Sequence, residues 1–201
     1  MAAGVGVGAI AVLVFQRLRD RLPYLIPGKI TPHDPVVRRK AIEIASKHQG
    51  EYNVEQMLDV FDHMRGLNYV SDPEPDHVAY PRDTILAGGG DCDDFAVTTA
   101  SLIMAIGGRA RVAVVSNDKI AHAFAEVYVG SRGTISSYVF ESICNRYGDT
   151  QVAWECDSEG NEWLVFDTLL PHPGMLPQDF TEAHYSAWKW KPEVKVQYFY
   201  S

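Results

Sequence analysis

The sequence contains few cysteines: three in 201 residues, at positions 92, 144 and 156. An odd number without regular spacing does not describe a disulfide framework. There is also no Cys-x-x-Cys pair, which argues against a zinc ribbon and against a thioredoxin-like redox site. At least one of the three thiols therefore cannot form a disulfide within the chain, and its presence needs another explanation.

Basic residues are in the minority. The chain has 18 Lys and Arg against 26 Asp and Glu, so its formal charge is −8. A chain of this sign is unsuited to neutralising phosphates, and we expect no nucleic-acid partner. The rest of the composition, 46% hydrophobic and 22% charged, is ordinary for a globular protein and argues against a disordered chain.

A long uncharged run stands at the amino terminus, where residues 2–15 are followed by Arg17, Arg19 and Arg21. As a helix this run would span about 21 Å, against roughly 30 Å of hydrocarbon in a bilayer. It also lacks the basic start and the small-residue cleavage site of a secretory signal. Three interpretations stay open: a short membrane anchor with the rest of the chain on the cytoplasmic side, a helix packed on the domain, or the remnant of a longer segment.

We therefore divide the chain into an apolar segment (1–22), a Pro-rich linker (23–34) and one domain (35–201). The expected location is the cytoplasm, with or without attachment to a membrane through residues 2–15. We expect the apolar segment to be helical.

Apolar periodicity predicts helices in the first half of the chain and strands in the second. Helices are expected over 36–48, from an N-cap at Asn53, and from Cys92 to Ile106, with an extended loop over 71–83. Strands are expected over 110–116, 122–129, 162–168 and 194–200. Residues 131–161 are polar and irregular, and they are open to interpretation as a lid, a substrate-recognition element or a solvated hairpin. This order is typical of an α+β domain with helices packed on one antiparallel sheet.

Cys92 is the cysteine best placed for chemistry. Gly88, Gly89 and Gly90 form a turn that places Cys92 in the first turn of a predicted helix. There the helix dipole and free backbone N–H groups favour a thiolate, and the N–H groups could bind an oxyanion. The neighbouring carboxylates at positions 91, 93 and 94 oppose the thiolate, so a basic partner is needed, and Asp91 is the best candidate N-cap. The alternative for Cys92 is a buried structural thiol.

His122 and Asp167 are the candidate partners of Cys92. His122 opens a predicted strand, and Asp167 lies near the end of a later one. A carboxylate beside the histidine could hold one ring nitrogen while the other faces the thiol, as in a nucleophile–base–acid triad. Taken singly, they could equally be a strand-edge histidine and a turn aspartate. Because no histidine spacing suits a metal and the acidic cluster lacks the pattern of a calcium loop, we expect no metal and no cofactor.

At this point the sequence resembles a known family. The segment Gly89–Ala96, with Ala100–Leu102 and Gly107–Val112, resembles the core of the transglutaminase-like superfamily, above all its prokaryotic members with a Gly-Asp-Cys-Asp-Asp motif. His122–Val127 and Trp163–Asp167 resemble the other two motifs of that family, and residues 69–73 and 80–84 resemble the segment before its cysteine. The resemblance covers about residues 55–170. It implies a papain-like fold in which the cysteine helix packs against an antiparallel sheet.

The resemblance also implies roles for the residues. Cys92 would be the nucleophile, His122 the general base and acid, and Asp167 the residue that orients His122. Tyr80 stands about where family members carry a second oxyanion donor, with pocket lining as its alternative. The C-terminal part, including Trp188 and Trp190, matches none of the family's motifs, and these tryptophans could line a substrate groove or pack in a core.

The implied chemistry is acyl transfer through a thioester, from a peptide bond or a glutamine side chain to water or to an amine. We expect a protease-like hydrolase acting on a protein or peptide substrate. The alternatives are a protein-glutamine amine transferase and a non-catalytic peptide-binding module on the same fold.

Overall fold

A computed structural model of the chain describes residues 24–72, 77–132, 137–148, 150–184 and 187–200. The predicted apolar segment, residues 1–22, lies outside these ranges. Among the described residues, no helix is long and apolar enough to cross a membrane.

The described residues form helices in the first half and mostly strands in the second, as the periodicity predicts. After a single 3-10 turn at Pro27–Lys29, the helices are α1 (Pro35–Ala45), α2 (Val54–Arg65), α3 (Pro81–Ala87), α4 (Cys92–Ala105) and α5 (Ser137–Tyr147). The strands are β1 (Asn68–Tyr69), β2 (Gly89–Gly90), β3 (Ala110–Ser116), β4 (Ala121–Ser131), β5 (Trp154–Cys156), β6 (Asn161–Phe166), β7 (Thr181–His184), β8 (Ala187–Trp190) and β9 (Lys195–Phe199).

Five of these strands build one antiparallel sheet in the order β5-β6-β4-β3-β9. The strand order differs from the chain order because the C-terminal β9 returns to pair with β3. Two short pairs flank the sheet: β1 and β2 run parallel, and β7 and β8 run antiparallel. The predicted α+β architecture, with helices on an antiparallel sheet, is confirmed.

The alternation of side chains along the strands produces two separate cores. The inner face of the sheet packs on the helices through Val112, Val114, Ala123, Ala125, Val127, Leu164 and Phe166. The outer face carries Ala113, Val115, Phe124 and Val165, which pack against Phe180, Leu176, Trp190, Val194, Val196 and Tyr198. The chain after the last predicted motif therefore covers the outer face. Trp190 takes the core-packing role, and the side chain of Trp188 lies outside the described part of the structure.

Residues 24–34, predicted as a linker, pack against the domain. Ile26 and Ile30 are buried in the same core as the helices. The Thr31 N–H donates to Ser101 Oγ, on α4, at 2.9 Å. The prolines suggested a free connection, but the isoleucines between them gain more by leaving water.

The segment 131–161, predicted as irregular, contains α5 and β5. Arg146 near the end of α5 bonds to Asp59 and, at 2.9 Å, to Asp62, both on α2. The hydroxyl of Tyr147 donates to Asp62 at 2.8 Å. These partners are more than 80 residues away in sequence, so local composition could not reveal that the segment docks on α2.

The predicted loop over 71–83 ends at Pro81, where α3 begins. Proline is well suited to the first helical position because its missing N–H would have no partner there. The short helix ends at Gly88, whose φ of 68° is a left-handed conformation that glycine adopts at little cost.

Candidate active site

Cys92 is the first residue of α4, and a reciprocal cap fixes that helix end. The side chain of Asp91 accepts from the backbone of Asp94, and the Asp91 N–H donates to the Asp94 carboxylate at 3.4 Å. The predicted N-cap is thus confirmed. A Cβ on Gly90 would lie 2.7 Å from the Asp94 carboxylate, so glycine is required for the close approach that forms this cap. The cap uses the N–H of Asp94, whereas the N–H groups of Cys92 and Asp93 have no acceptor within the helix and lie beside the thiol.

The structure brings Cys92, His122 and Asp167 together. His122 is the second residue of β4, and Asp167 directly follows β6, so neighbouring strands place them side by side. His122 Nε2 and Asp167 Oδ2 are 2.6 Å apart. The other oxygen of Asp167 accepts from the Leu169 N–H at 3.1 Å, which holds the carboxylate in place. Nδ1 of His122 is then the ring nitrogen left to face the Cys92 thiol, which is near enough to raise the pKa of the imidazole.

The surroundings of His122 favour its charged form. Burial by itself would lower the pKa of His122, but the hydrogen bond to Asp167 and that to Cys92, with their negative charges, raise it to about 10. Asp167 is 3% exposed, whereas the His122 side chain keeps 17% of its surface accessible. The imidazole is therefore anchored on one side and reachable on the other.

The carboxylates around Cys92 oppose a thiolate less than the sequence suggests. Burial, the hydrogen bond to Asp91 and nearby negative charge raise the pKa of Asp93 well above its ordinary value, which favours the neutral form. Burial also raises the pKa of Asp94, although the N–H of Ala79 donates to its carboxylate at 2.6 Å and works in the opposite direction. The sequence places three carboxyl groups here, and burial in the fold disfavours the charged form of two of them, Asp93 and Asp94.

A cluster that could hold a metal ion lies beside the same helix end. Asp72, Asp91 and Asp94 each offer a carboxylate oxygen within 4.8 Å of the others. Oxygen ligands at such spacings suit a hard divalent cation. The sequence reasoning considered only the acidic run at 91–94, because Asp72 joins it only through the fold. The expectation of no metal stays a prediction.

Tyr80, the predicted oxyanion donor, lies at the N-cap of α3. Its ring is 44% exposed and faces the Lys29 ammonium, 3.6 Å from the ring centroid. It lines a cleft of about 820 Å³ together with Ile30, Pro32 and Arg82. The oxyanion role of Tyr80 is not tested by this placement and stays a prediction.

Tyr69 is a tyrosine near the thiol that the sequence reasoning missed. It pairs with Gly90 through β1 and β2, two residues before Cys92, and its ring meets Phe95 edge-on at 6.4 Å. Burial raises the pKa of Tyr69, and the negative charges of Cys92 and Asp91 raise it further. Its place in the segment that resembles the family was visible in the sequence, but its closeness to Cys92 depends on the parallel pairing of β1 with β2.

The other two cysteines lie apart from this site. Cys144 is half-buried on α5 and Cys156 is exposed on β5, and neither forms a disulfide. The pairing left open by the sequence is absent among the described residues. Cys92, unlike the other two thiols, lines the same small cavity as Asp167.

Comparisons with known proteins agree with the fold. A family model described as the transglutaminase-like superfamily matches residues 38–168. Among curated proteins, none matched.

Similar solved structures include a proposed cysteine protease from Cytophaga hutchinsonii, with 18% identity, a TM-score of 0.45, and coverage of 90% of this chain and 56% of that one. Calcium-bound LapG from Legionella pneumophila has 17% identity and a TM-score of 0.41, covering 79% of this chain and 81% of LapG. A proposed protease from Parabacteroides distasonis has 14% identity and a TM-score of 0.40, covering 59% of this chain and 24% of that protein. This chain thus spans little more than half the length of the first of these proteins.

Proposed function

The chain belongs to the transglutaminase-like superfamily, and from that premise we propose that it is a cysteine-dependent hydrolase that cleaves a peptide or amide bond through a thioester. The observation that carries the proposal is the 2.6 Å bond between His122 and Asp167, beside the Cys92 thiol at the start of α4. A nucleophile, a base and an orienting carboxylate in this order can activate a thiol that the helix end alone would not.

In the first half of the reaction, the Cys92 sulfur attacks the substrate carbonyl carbon. A C–S bond forms, and the carbonyl oxygen becomes an oxyanion that the first-turn N–H groups of α4 can bind. His122 has taken the proton of the thiol and is therefore positively charged. It gives that proton to the leaving amine as the C–N bond breaks. Asp167 stabilises the imidazolium and fixes its orientation. The product is a thioester on Cys92.

In the second half, water attacks the thioester carbonyl. His122 now acts as the base and takes one proton from the water, so that a C–O bond forms and the C–S bond breaks. The acid product leaves, and the proton returns to the imidazole–thiol pair. An amine in place of water would give transfer instead of hydrolysis by the same steps.

The three cysteines allow an internal test of activation. We expect iodoacetamide at pH 6 to alkylate Cys92 about 100-fold faster than Cys156, since only an activated thiol is a thiolate at that pH. Cys156 is the matched control because it is exposed and therefore reachable. His122→Ala should abolish the difference. Equal rates for all three thiols in the native chain would sink the proposal.

A second experiment separates hydrolysis from transfer. The chain is incubated with a glutamine-containing casein and a fluorescent amine, with Cys92→Ala as the control. We expect Cys92-dependent cleavage or ammonia release without amine incorporation. Amine incorporation would instead assign a transferase. Binding that survives Cys92→Ala, without turnover of any peptide, would assign a binding module.

We also propose that residues 2–15 attach the domain to a membrane from its cytoplasmic side. The support is the uncharged run followed by Arg17, Arg19 and Arg21. Deletion of residues 1–22 should move the protein from the membrane pellet to the soluble fraction. Full-length protein that is already soluble without detergent would show this to be wrong.

A further inference from the structure

The chain beyond residue 168, where the match to the family ends, reaches the proposed catalytic histidine. Phe180, just before β7, is 3% exposed. Its ring lies nearly parallel to the imidazole of His122, at 12°, with 6.4 Å between the ring centroids. The ring of Phe124, on the same strand as His122, also lies beside the imidazole, with 5.9 Å between the ring centroids and 33° between the ring planes. The histidine thus touches one ring from its own strand and another from the C-terminal segment.

Phe180 is held firmly in this position. Its N–H donates to the Pro177 carbonyl at 3.0 Å, and its own carbonyl accepts from the Lys191 N–H at 2.9 Å. Its side chain belongs to the outer-face core with Val115 and Phe124. Both backbone groups and the ring are therefore fixed by packing, so that Phe180 can restrain a neighbour.

The His122–Asp167 bond needs such a restraint. An imidazole at the start of a strand can rotate about two bonds, and 17% of this side chain is open to solvent. Water that reaches the bond would compete for the Asp167 carboxylate. A flat apolar ring against the imidazole removes rotational freedom and one path for water without offering a competing polar group.

We propose that Phe180 is a positioning residue that holds the His122 imidazole in the orientation that bonds Asp167 and shields this bond from water. The proposal rests on the proposed function, since it assigns Phe180 a role only through His122. It makes the C-terminal segment part of the working site as well as a cover for the sheet.

The test compares Phe180→Ala and Phe180→Leu with Leu176→Ala. Leu176 packs against the same outer-face core but is not one of the rings against His122, so its truncation is the matched control. Two readouts are measured below the unfolding temperature of every variant: the rate of Cys92 alkylation at pH 6, and the NMR signal of the His122 ring N–H that exchanges slowly with water when bonded to Asp167.

We expect alkylation to slow about tenfold in Phe180→Ala, less than the roughly 100-fold that a 1 Å misplacement of catalytic groups can cost. Phe180→Leu should fall in between, because it keeps apolar bulk without a flat ring. The ring N–H signal should broaden in the same order, whereas Leu176→Ala should keep both the rate and the signal. If Phe180→Ala does not fold, Phe180→Leu carries the test.

Two results would overturn the proposal: a Phe180 variant with the native rate and signal, or an equal loss in Leu176→Ala, which would reduce Phe180 to core packing. Failure of the proposed function is distinguishable. In that case Cys92 of the native chain reacts no faster than Cys156, while the His122 ring N–H signal still reports whether Phe180 holds the bond.

Discussion

Two charged pairs lie on the outer face of the same sheet, and only one of them belongs to the candidate site. His122 and Glu126 are four residues apart on β4, so their side chains share a face. Glu126 accepts from Arg111, opposite it on β3, at 2.6 Å, and His122 bonds Asp167 at the same distance. The two contacts have equal length but different surroundings.

The Arg111–Glu126 pair is closed. Both side chains are at most 2% exposed, and the guanidinium lies between the rings of Trp163 and Tyr198, 4.4 and 3.8 Å from their centroids. A further donor of Arg111 bonds the Tyr200 hydroxyl at 3.0 Å. The His122–Asp167 pair leaves a second ring nitrogen free, and the Cys92 thiol is near enough to affect the pKa of the imidazole. A pair enclosed on all sides stabilises the fold, whereas a pair with one free functional group beside a nucleophile can do chemistry.

The largest expected effect breaks the closed pair. Above pH 8, where Glu126 is ionised, Arg111→Met should destabilise the protein by about 3–5 kcal/mol, because it leaves the carboxylate buried without its partner. Urea unfolding measures the loss, and the double variant Arg111→Met with Glu126→Leu should recover part of it. Cys92 alkylation should keep its native rate wherever the variant is folded. Loss of that rate would show that the two pairs are not independent.

The second prediction concerns a substitution that weakens the His122–Asp167 pair. Asp167→Asn should lower the pKa of His122 from about 10 toward the ordinary 6.5, because the carboxylate bond and charge that raise it are gone. Since the folded-state pKa is raised, the stability due to His122 is complete below pH 6.5 and is lost as the pH rises toward 10. An NMR titration of His122 measures the pKa, and unfolding between pH 6 and 10 should flatten in Asp167→Asn. An unchanged His122 titration in Asp167→Asn would show that Asp167 does not set the pKa of His122.

The third prediction concerns the carboxyl groups around Arg111 in the closed pair, which outnumber its single guanidinium. Burial raises the pKa of Glu126 to about 8, and the charges of Glu155 and Asp157 add to this, while Arg111 opposes it. The folded state then binds more protons than the unfolded state between pH 4.5 and 8, so stability falls as the pH rises through this window.

Glu126→Gln should remove that slope, which for one proton is at most about 1.4 kcal/mol per pH unit. Urea unfolding at several pH values from 5 to 8 tests it, with the exposed Glu43→Gln as a control that should leave the slope unchanged. A native slope in Glu126→Gln would contradict the assignment.

The smallest effect compares two tyrosines that precede Cys92 in the sequence. Tyr69 lies close to Cys92, whereas Tyr80 faces Lys29. We expect Tyr69→Phe to slow acylation of Cys92 by p-nitrophenyl acetate about tenfold, through loss of an oxyanion donor, and Tyr80→Phe to change it less than about twofold. Alkylation by iodoacetamide forms no oxyanion and should be unaffected in both. The reverse ranking would support the role that the resemblance implies for Tyr80.

The parts of the site that are local in the chain could be predicted from the sequence. The cap of α4 joins Asp91 and Asp94, three residues apart, and the strand of His122 shows its two faces by simple alternation. The order of Cys92, His122 and Asp167 on a helix start and two strands was also readable. These features depend on hydrogen bonds and periodicities that span only a few residues.

Other features depend on chain segments that meet only when the domain closes. Phe180 reaches His122 across 58 positions, Arg146 reaches Asp59 across 87, and Asp72 joins Asp91 and Asp94 through the turn before α4. The raised pKa of Asp93 also needs the burial that packing creates. The sequence by itself determined which cysteine is the candidate nucleophile and which residues are its candidate partners. The tertiary structure decided how that thiol is surrounded, because burial and long-range contact, unlike periodicity and caps, are properties of the closed chain.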